Sequence, residues 1–408
     1  MNACIISVGD ELLSGSVVNS NSLYLANQLR DFGISLKKIL TVGDNEKDII
    51  ESLESCKKSS NIVFITGGLG ATHDDVTKNA VAKYFNSQLL FHEDIIRKIR
   101  AVFEKRSQKM PDVNKVLAYI PDNAVILPNT LGTAQGMRFE KDETIFYVMP
   151  GVPAEMKQMF GNVVLQELNK ISNKKIRTKI IHTALAPESE IYSKLENWIK
   201  KQSKIKISIL PRLPEVDVSL TTDSVDGSKL LQNAANEVKV LLGNAVYAYD
   251  SETLEQVIGK ILSENHKTIA VAESCTGGMI ANRLTNVSGS SQYFKMGIVT
   301  YCNESKSAIL GVKENALKKY GAVSKETALE MAEGVRKISG CDIGLSSTGI
   351  AGPLGGSELK PVGTIFIGLS LYGFSETYHK VFTGNRETNK LLFSQYALNQ
   401  LRLVLHCR

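Results

Sequence analysis

The segment NIVFITGGLGATHDDVTKNAVAKYF, residues 61–85, carries the pattern that decides the fold of the N-terminal half. Its apolar run at 61–65 predicts a buried strand, a glycine-rich loop follows at 66–77, and residues 74–85 have the spacing of a helix. Strand and helix signals alternate in the same way through the first 165 residues. This alternation is typical of an α/β domain in which helices cover both faces of a parallel sheet.

The rest of the 408-residue chain falls into two further parts. Residues 169–249 contain a helical pattern and the alternating strand VDVSLTT at 216–222, which predict a small α+β module with an antiparallel sheet. Residues 250–408 return to alternating strands and helices. We therefore predict an α/β fold with two α/β domains, at 1–168 and 250–408, whose mostly parallel sheets are joined by the 169–249 module.

Composition indicates a globular protein, with 43% hydrophobic and 22% charged residues. The net charge of +6 is spread along the chain, so no nucleic-acid partner is predicted, and the basic runs at 173–179 and 199–206 are interpreted as solvated surface. No apolar run reaches the ~18 residues of a membrane span, and the N-terminus does not resemble a leader, which predicts a soluble cytoplasmic protein. Six cysteines, Cys407 among them, form no C-x-x-C pair and give no sign of a zinc site.

Three loops of the N-terminal domain, at 7–15, 66–77 and 149–156, each follow a predicted parallel strand. Loops at the carboxyl ends of parallel strands converge on one crevice, so we predict one site built from all three. The alternative is that the glycines form only a turn and that the two aspartates cap a helix. The residues assigned to a phosphate on bare backbone are Gly67, Gly68 and Gly70, and those assigned to Mg²⁺ or a similar divalent cation are Glu11, Asp74 and Asp75.

Four segments of this half resemble a known family: VGDELLSGSVVNSN, TGGLGATHDDVTKNAVA, LPNTLGTAQGM and MPGVPAEMKQM. They are similar to the molybdopterin-binding-like domain of the CinA-type competence/damage-inducible proteins. The resemblance implies a metal-dependent ADP-ribose pyrophosphatase. It also implies that Asp75 and Asp44 are functional residues, and Asp44 is assigned to substrate binding. The chain departs from the family pattern at Val116, Leu117 and Gln135, where a lost polar group would weaken that activity.

The resemblance leaves two other interpretations of the protein open. The N-terminal domain would bind molybdopterin or another nucleotide, or transfer an adenylyl group, since the fold and the glycine-rich loop are shared among these functions. The whole protein would alternatively act as a non-enzymatic competence factor.

The C-terminal domain is rich in loops of glycine, serine and threonine, which offer donors for a phosphate or a carboxamide. No histidine lies in these loops, so a Ser–His–Asp triad is not predicted. A Ser–Lys pair remains, because burial can lower the pKa of a lysine until it serves as a base. The predicted cluster is Ser291, Lys306 and Tyr301; the alternative is an ordinary loop serine and a surface lysine.

The segments VAESCTGG, GSSQYFKMGIVTYCNESK, STGIAGPLGGSELKPVGT and TGNR resemble the nicotinamide mononucleotide deamidase domain of the CinA proteins. The resemblance implies conversion of nicotinamide mononucleotide to nicotinic acid mononucleotide and ammonia, without a metal or other cofactor. It implies that Ser291 is the nucleophile, with Tyr301 and Lys306 assisting. The residues assigned to substrate binding are Ser274, Thr276, Gly289, Thr348, Gly349 and Arg386.

The stretch AESCTGG at 272–278 is interpreted as a cradle for the phosphate or ribose, because the sequence shows no base for Ser274 or Cys275. Together the two halves predict a bifunctional enzyme of pyridine-nucleotide salvage. Its expected partners are small-molecule nucleotides, without nucleic acid or membrane, and the resemblance suggests a homodimer.

Overall fold

The computed structural model describes residues 1–105, 107–171 and 176–406. The chain forms two compact units, which are described separately: Met1–Arg177 with Asp223–Val225, and Thr178–Thr222 with Asp226–Arg408. The basic run at 173–179 lies partly outside the described residues, and Cys407 lies outside them. Within the part of the chain that is described, no helix is both long and apolar enough to cross a membrane.

The first unit is built on a six-stranded sheet with the order β2-β1-β3-β8-β7-β6. Strands β2, β1, β3 and β8 are parallel, and β7 and β6 extend the sheet in antiparallel fashion. Strands β4 and β5 form a separate antiparallel pair. The strands are β1 (Asn2–Val8), β2 (Ser35–Val42), β3 (Ile62–Thr66), β4 (Leu89–Phe91), β5 (Tyr119–Pro121), β6 (Val125–Leu127), β7 (Gly136–Lys141) and β8 (Thr144–Met149).

Helices cover both faces of this sheet, because successive side chains of a strand point to opposite faces. Cys4 and Ile6 of β1 belong to one buried core, and Ala3 and Ile5 belong to another on the opposite face. A π-helical segment, Phe160–Val164, links the last two helices. The helices are α1 (Asp10–Leu13), α2 (Ser20–Asp31), α3 (Glu46–Lys57), α4 (Thr77–Tyr84), α5 (Glu93–Lys105), α6 (Pro153–Met159) and α7 (Leu165–Ile171).

The second unit begins with a four-stranded sheet of order β10-β11-β9-β12. The β10–β11 and β12–β9 pairs are antiparallel, as the alternating pattern at 216–222 indicated. Two helices pack on this sheet through a core that includes Leu195, Trp198 and Val238. The elements are β9 (Arg177–Ala184), α8 (Glu188–Ile199), β10 (Lys206–Arg212), β11 (Glu215–Thr222), α9 (Gly227–Leu242) and β12 (Val246–Tyr249).

The same unit continues into a five-stranded sheet of order β14-β13-β15-β16-β17. Strands β14, β13 and β15 are parallel, whereas β16 and β17 are antiparallel and are joined by a tight turn at Tyr372 and Gly373. The elements are α10 (Leu254–Glu264), β13 (Ile269–Glu273), α11 (Met279–Thr285), β14 (Phe294–Val299), α12 (Asn303–Leu310), α13 (Glu314–Tyr320), α14 (Lys325–Ser339), β15 (Ile343–Gly349), β16 (Thr364–Leu371), β17 (Phe374–Val381) and α15 (Arg386–His406).

The predicted fold class, two α/β domains and a small α+β module, is confirmed. Among the parallel strands, β3, β13 and β15 are apolar runs that are followed by loops with several glycines. Of the antiparallel strands, β17 follows a two-residue turn, whereas β7 and β16 follow longer segments. The three-part division at 1–168, 169–249 and 250–408 remains a prediction, since the compact units group the module with the C-terminal domain.

The glycine-rich loop after β3 is held together by Asp75. Its carboxylate accepts hydrogen bonds from the backbone N–H groups of Gly70 (2.7 Å) and Thr72 (2.9 Å) and from the Thr72 hydroxyl. A Cβ atom on Gly67 would lie 2.1 Å from the Val8 carbonyl oxygen, so this glycine is required by the packing of the loop itself. Both oxygens of Asp75 thus accept hydrogen bonds inside the loop, and its assignment as a metal ligand stays a prediction.

The helix after this loop begins at Thr77, three residues later than position 74 where the sequence placed it. Asp74 and Asp75 lie in the loop, and the residue that precedes the helix is Val76, which has no capping side chain. The alternative in which the two aspartates cap a helix is thus also not observed. Gly68 packs against the same helix start, since its Cβ atom would lie 2.2 Å from the Thr77 hydroxyl.

We predict that Asp75→Ala opens this loop. Two backbone N–H groups and a hydroxyl lose their acceptor, and each unsatisfied group costs about 1–3 kcal/mol, so amide exchange at Gly70 and Thr72 should accelerate by about tenfold or more. Hydrogen-exchange mass spectrometry of the peptide 66–77 measures this. The matched control is Asp74→Ala, whose side chain is 60% exposed; equal exchange in the two variants would contradict the role of Asp75.

Candidate functional sites

A cavity of about 440 Å³ lies at the carboxyl ends of β1, β3 and β8 in the first unit. The three loops at 7–15, 66–77 and 149–156 line it together, as expected for parallel strands. The predicted residues Gly67, Gly68 and Gly70 form part of its wall. The loops that the sequence singled out therefore meet in one place.

This cavity is strongly acidic. The side chains that line it include five carboxylates, and its described lining residues include no lysine, arginine or histidine. The pKa of Asp44 is raised, first by burial and then by the nearby charges of Asp10, Glu11 and Asp74. A phosphate would meet like charge here unless a cation accompanied it. The five carboxylates belong to Glu11, Asp44, Asp74, Asp75 and Glu155.

The oxygen donors of this cavity suit a hard cation, but they do not form a closed set of ligands. Among the described residues, the one group of three potential ligand atoms within 4.8 Å of one another lies elsewhere, in the second unit. Mg²⁺ is usually held by one or two carboxylates together with phosphate oxygens, so a complete protein cage is not required. Asp44 was assigned to substrate binding. The charges of Glu11 and Asp74 add to the effect of burial on the pKa of its carboxyl, whereas the carboxylate of Asp75 accepts hydrogen bonds within the loop.

The three departures from the family pattern do not line the cavity. Leu117 is buried in the core, and the carbonyl oxygen of Val116 accepts a 2.5 Å hydrogen bond from the amine of Lys78, whose pKa burial lowers to about 8. The side chain of Gln135 accepts from the backbone N–H of Asn129. In this chain the side chains at these three positions therefore lie outside the lining of the cavity.

A second cavity, of about 260 Å³, lies in the second unit at the carboxyl ends of β13 and β15. The residues that form it come from loops far apart in sequence, and Cys275 is among them. The thiol of Cys275 is fully buried, which raises its pKa to about 12 and makes it a poor nucleophile. The predicted site residues that line this cavity are Ser274, Tyr301, Lys306, Thr348, Gly349 and Arg386.

The amine of Lys306 is the central group of this cavity. The lysine is 1% exposed, and its Nζ donates hydrogen bonds to the carbonyl oxygens of Thr300 (2.8 Å) and Tyr301 (3.2 Å) and to the Ser274 hydroxyl (3.2 Å). Burial lowers the pKa of Lys306. In the neutral amine the two N–H groups can remain on the two carbonyls, which leaves the lone pair directed at Ser274. This is the geometry of a serine beside a lysine base.

Ser291 does not meet Lys306. It is exposed, in the turn Ser290–Gln292 that precedes β14, whereas Lys306 follows that strand. The six residues of β14 (Phe294–Val299) separate the two by about 20 Å at ~3.3 Å per residue. The predicted Ser291–Lys306 pair within one chain is therefore corrected, and Gly289, which precedes the same turn, also lies outside the cavity.

The sequence offered no base for Ser274 because its partner is 32 residues away and arrives from the neighbouring strand. Parallel pairing aligns Glu273 at the end of β13 with Val299 at the end of β14. The loops after both strands thus lie side by side. This alignment places Lys306 next to Ser274, and parallel strand pairing is the signal that would have found it.

The carboxylate of Glu273 holds the loop that carries Ser274 in place. This carboxylate is 1% exposed and accepts hydrogen bonds from the backbone N–H groups of Gly278 (2.9 Å), Ile280 (3.1 Å) and Ala281 (2.8 Å). A carboxylate of the chain thus already occupies these N–H groups at the start of α11, which disfavours a phosphate there. The assignment of AESCTGG as a cradle for the phosphate or ribose stays a prediction, with Ser274 lining the cavity. Thr276 is also structural: it is fully buried, and its hydroxyl lies 2.6 Å from that of Ser347.

The exposed side of the cavity carries a cation and a phenol. Arg386 donates to the Gly352 carbonyl oxygen (2.9 Å) and to the Tyr301 hydroxyl (3.0 Å). Tyr301 therefore contacts Lys306 through its backbone and Arg386 through its side chain. Thr348 is buried and donates to the Ala322 carbonyl oxygen (2.8 Å), so its hydroxyl proton is already engaged. Arg386 keeps further N–H groups for an anionic substrate.

Comparison with known proteins assigns all three parts of the chain to described families. Residues 251–405 match the CinA C-terminal domain, residues 178–248 the damage-inducible protein CinA KH domain, and residues 4–170 a probable molybdopterin binding domain. The sequence had indicated the module only as α+β.

Relatives align over nearly the whole chain. A competence-damage inducible protein of Caldicellulosiruptor bescii is 44% identical over 405 residues, covering 98% of each chain. A CinA-like protein of Kosmotoga olearia is 38% identical over 409 residues, covering 99% of each. The crystal structure of a competence/damage inducible protein from Agrobacterium tumefaciens is 36% identical and covers 38% of this chain and 93% of its own, with a TM-score of 0.37. The chain belongs to the CinA family of competence/damage-inducible proteins.

Proposed function

We propose that this chain is a bifunctional enzyme of pyridine-nucleotide salvage. Its C-terminal domain would hydrolyse the carboxamide of nicotinamide mononucleotide to nicotinic acid mononucleotide and ammonia. The observation that carries the proposal is the contact between the buried amine of Lys306 and the hydroxyl of Ser274, in a cavity bordered by Arg386. Sequence reasoning named the same reaction and the same lysine but a different serine.

The reaction uses Ser274 as nucleophile and Lys306 as base. The neutral amine takes the Ser274 proton while Oγ attacks the carboxamide carbon. The resulting ammonium gives that proton to the carboxamide nitrogen as the C–N bond breaks, so that ammonia leaves. Water then attacks the acyl ester while Lys306 takes its proton, and Lys306 returns that proton to Ser274 Oγ as nicotinic acid mononucleotide leaves. Burial favours the neutral amine by lowering the lysine pKa, and the two backbone carbonyls hold it in position.

Arg386 and Tyr301 would bind the 5′-phosphate of the nucleotide. Arg386 is anchored on the Gly352 carbonyl and on the Tyr301 hydroxyl, so its planar fork is held in place before substrate arrives. The phosphate would lie at the exposed side of the cavity and the carboxamide at Ser274 and Lys306. This domain needs no metal, because its own side chains supply the base and the positive charge.

For the N-terminal domain we propose hydrolysis of ADP-ribose with a divalent cation. Glu11, Asp44 and Asp74 would hold the cation together with the diphosphate. The pKa of Asp44 is raised first by burial and then by the neighbouring carboxylates, and a cation would offset the repulsion among them. A bound cation would neutralise the diphosphate and activate water. The backbone of Gly67, Gly68 and Gly70 would face the phosphates.

These assignments make small-molecule nucleotides the ligands of both domains. We further propose a homodimer, as the family resemblance suggests, and a cytoplasmic location, as the hydrophobicity pattern of the sequence suggests. Size-exclusion chromatography with light scattering measures the oligomeric state.

We predict that Ser274→Ala lowers kcat for ammonia release from nicotinamide mononucleotide by about 10³-fold or more, because the nucleophile is lost. Ser291→Ala should retain kcat within a few-fold, because this exposed serine precedes β14 and Lys306 follows the opposite end of that strand. Coupled ammonia detection in metal-free buffer measures both. If Ser291→Ala lost activity while Ser274→Ala remained active, Ser291 would be the nucleophile, as predicted from the sequence. Activity in both variants would exclude a serine mechanism at either position.

We predict that Asp44→Asn lowers the formation of AMP from ADP-ribose by tenfold or more and weakens its dependence on Mg²⁺. Removing one carboxylate removes part of the charge that holds the cation. The measurement is AMP release at varied Mg²⁺, with Glu155→Gln as the matched carboxylate control at the far side of the cavity, where Asn129 donates to it at 2.6 Å. AMP release that is independent of metal, or equal losses in both variants, would contradict the assignment.

A further inference from the structure

A cluster of charged side chains outside both proposed sites lies in the second unit, where the α+β module meets the start of the C-terminal domain. His182 of β9 and Glu215 and Asp217 of β11 each present one potential ligand atom, and these atoms lie within 4.8 Å of one another. The residues are well buried: the side chains are 5%, 10% and 11% exposed. A cavity of about 300 Å³ reaches His182 and Glu215 from the surface.

The imidazole of His182 is oriented by two acceptors. Its Nε2 lies 2.7 Å from the carbonyl oxygen of Asp250, and its Nδ1 lies 2.7 Å from Oδ1 of Asp217. The carbonyl can only accept, so Nε2 carries a proton and Nδ1 is the atom directed at the carboxylates. A histidine that binds a metal through one nitrogen is usually held in this way, with the other N–H on a backbone carbonyl.

Both carboxylates also have outer partners. Glu215 accepts a 3.1 Å hydrogen bond from the amide of Gln395, which comes from α15. Asp217 and Glu215 are paired with Arg212, whose nitrogens lie 3.1 Å and 2.9 Å from them. The ligand atoms are therefore positioned by residues from several elements before any ion is added.

The charges in this cluster can be balanced in two ways. In the structure, the two carboxylates are neutralised by the proton on Nδ1 of His182 and by Arg212. One divalent cation would supply the same two positive charges if the Nδ1 proton left to solvent and Arg212 turned outward. The Arg212 side chain is 61% exposed, so its guanidinium can turn into solvent.

We propose that His182, Glu215 and Asp217 form a binding site for a divalent transition metal such as Zn²⁺ or Co²⁺. One imidazole with two carboxylates suits these ions, and the cavity leaves a coordination position open for water. Arg212 acts as the competing cation when metal is absent. The metal would tie β9 and β11 to the segment at Asp250 that leads into the C-terminal domain.

The test is titration of the chelator-treated full-length chain with Co²⁺, followed by visible absorption and by isothermal titration calorimetry. Without a diphosphate ligand to complete the proposed N-terminal cation site, we expect one Co²⁺ per chain with the spectrum of nitrogen and oxygen ligands, displaced by Zn²⁺. His182→Gln should weaken binding by at least tenfold. Arg212→Gln should strengthen it by about tenfold, because the competing charge is removed. Zn²⁺ should also raise the unfolding temperature reported by Trp198, the single tryptophan of the chain, which lies in the core of this module.

His92→Gln is the matched control, because His92 lies 4.0 Å from Asp94 in the first unit, outside the cluster. It should leave Co²⁺ binding unchanged. The proposal is overturned if the unaltered chain binds no Co²⁺, if His182→Gln and His92→Gln bind equally well, or if Arg212→Gln does not bind more tightly. If His182→Gln fails to fold, Arg212→Gln still tests the proposal, because this variant retains all three ligands.

Discussion

The burial of the Lys306 amine is the constraint on which the C-terminal site depends. A lysine that is 1% exposed must satisfy its N–H groups inside the protein, and it does so on the carbonyls of Thr300 and Tyr301 and on the Ser274 hydroxyl. These carbonyls belong to the loop after β14, and Ser274 belongs to the loop after β13. The parallel pairing of the two strands, with Glu273 locking the Ser274 loop onto α11, therefore determines which serine the lysine contacts.

The two proposed sites would bind a phosphorylated ligand in opposite ways. The C-terminal cavity contains its own cation, Arg386, beside the buried amine of Lys306, and would bind a mononucleotide without an added cation. The N-terminal cavity contains carboxylates and backbone N–H groups, so a diphosphate there requires an added cation. The difference in charge explains why one reaction is expected without metal and the other only with it.

Local sequence patterns were sufficient for the fold class and for the loops that line each cavity. Apolar runs such as 61–65 identify strands directly, and glycine-rich loops after parallel strands must converge, so Gly67, Lys306 and Arg386 were placed in cavities from sequence alone. What local patterns do not contain is the direction of side chains after a turn. Asp75 folds back on its own loop, and Thr276 bonds Ser347; both were assigned to ligands because their chemistry alone suits that role.

Pairings between strands account for the larger errors. Ser291 and Lys306 are close in sequence, but an extended strand separates them, whereas Ser274 and Lys306 are 32 residues apart and in contact. The cluster of His182, Glu215 and Asp217 was likewise not visible, because its members come from two strands of the module and are oriented by Asp250 and Gln395. A search for zinc motifs through cysteine spacing could not reveal it.

The identity of the serine that forms the acyl-enzyme is the most direct test of the central claim. Rapid acid quench of the enzyme during turnover of nicotinamide mononucleotide, followed by peptide mass spectrometry, locates the ester. A nicotinic acid mononucleotide ester on the peptide containing Ser274 is the result expected from the Lys306 geometry. An ester on the peptide containing Ser291 would contradict it.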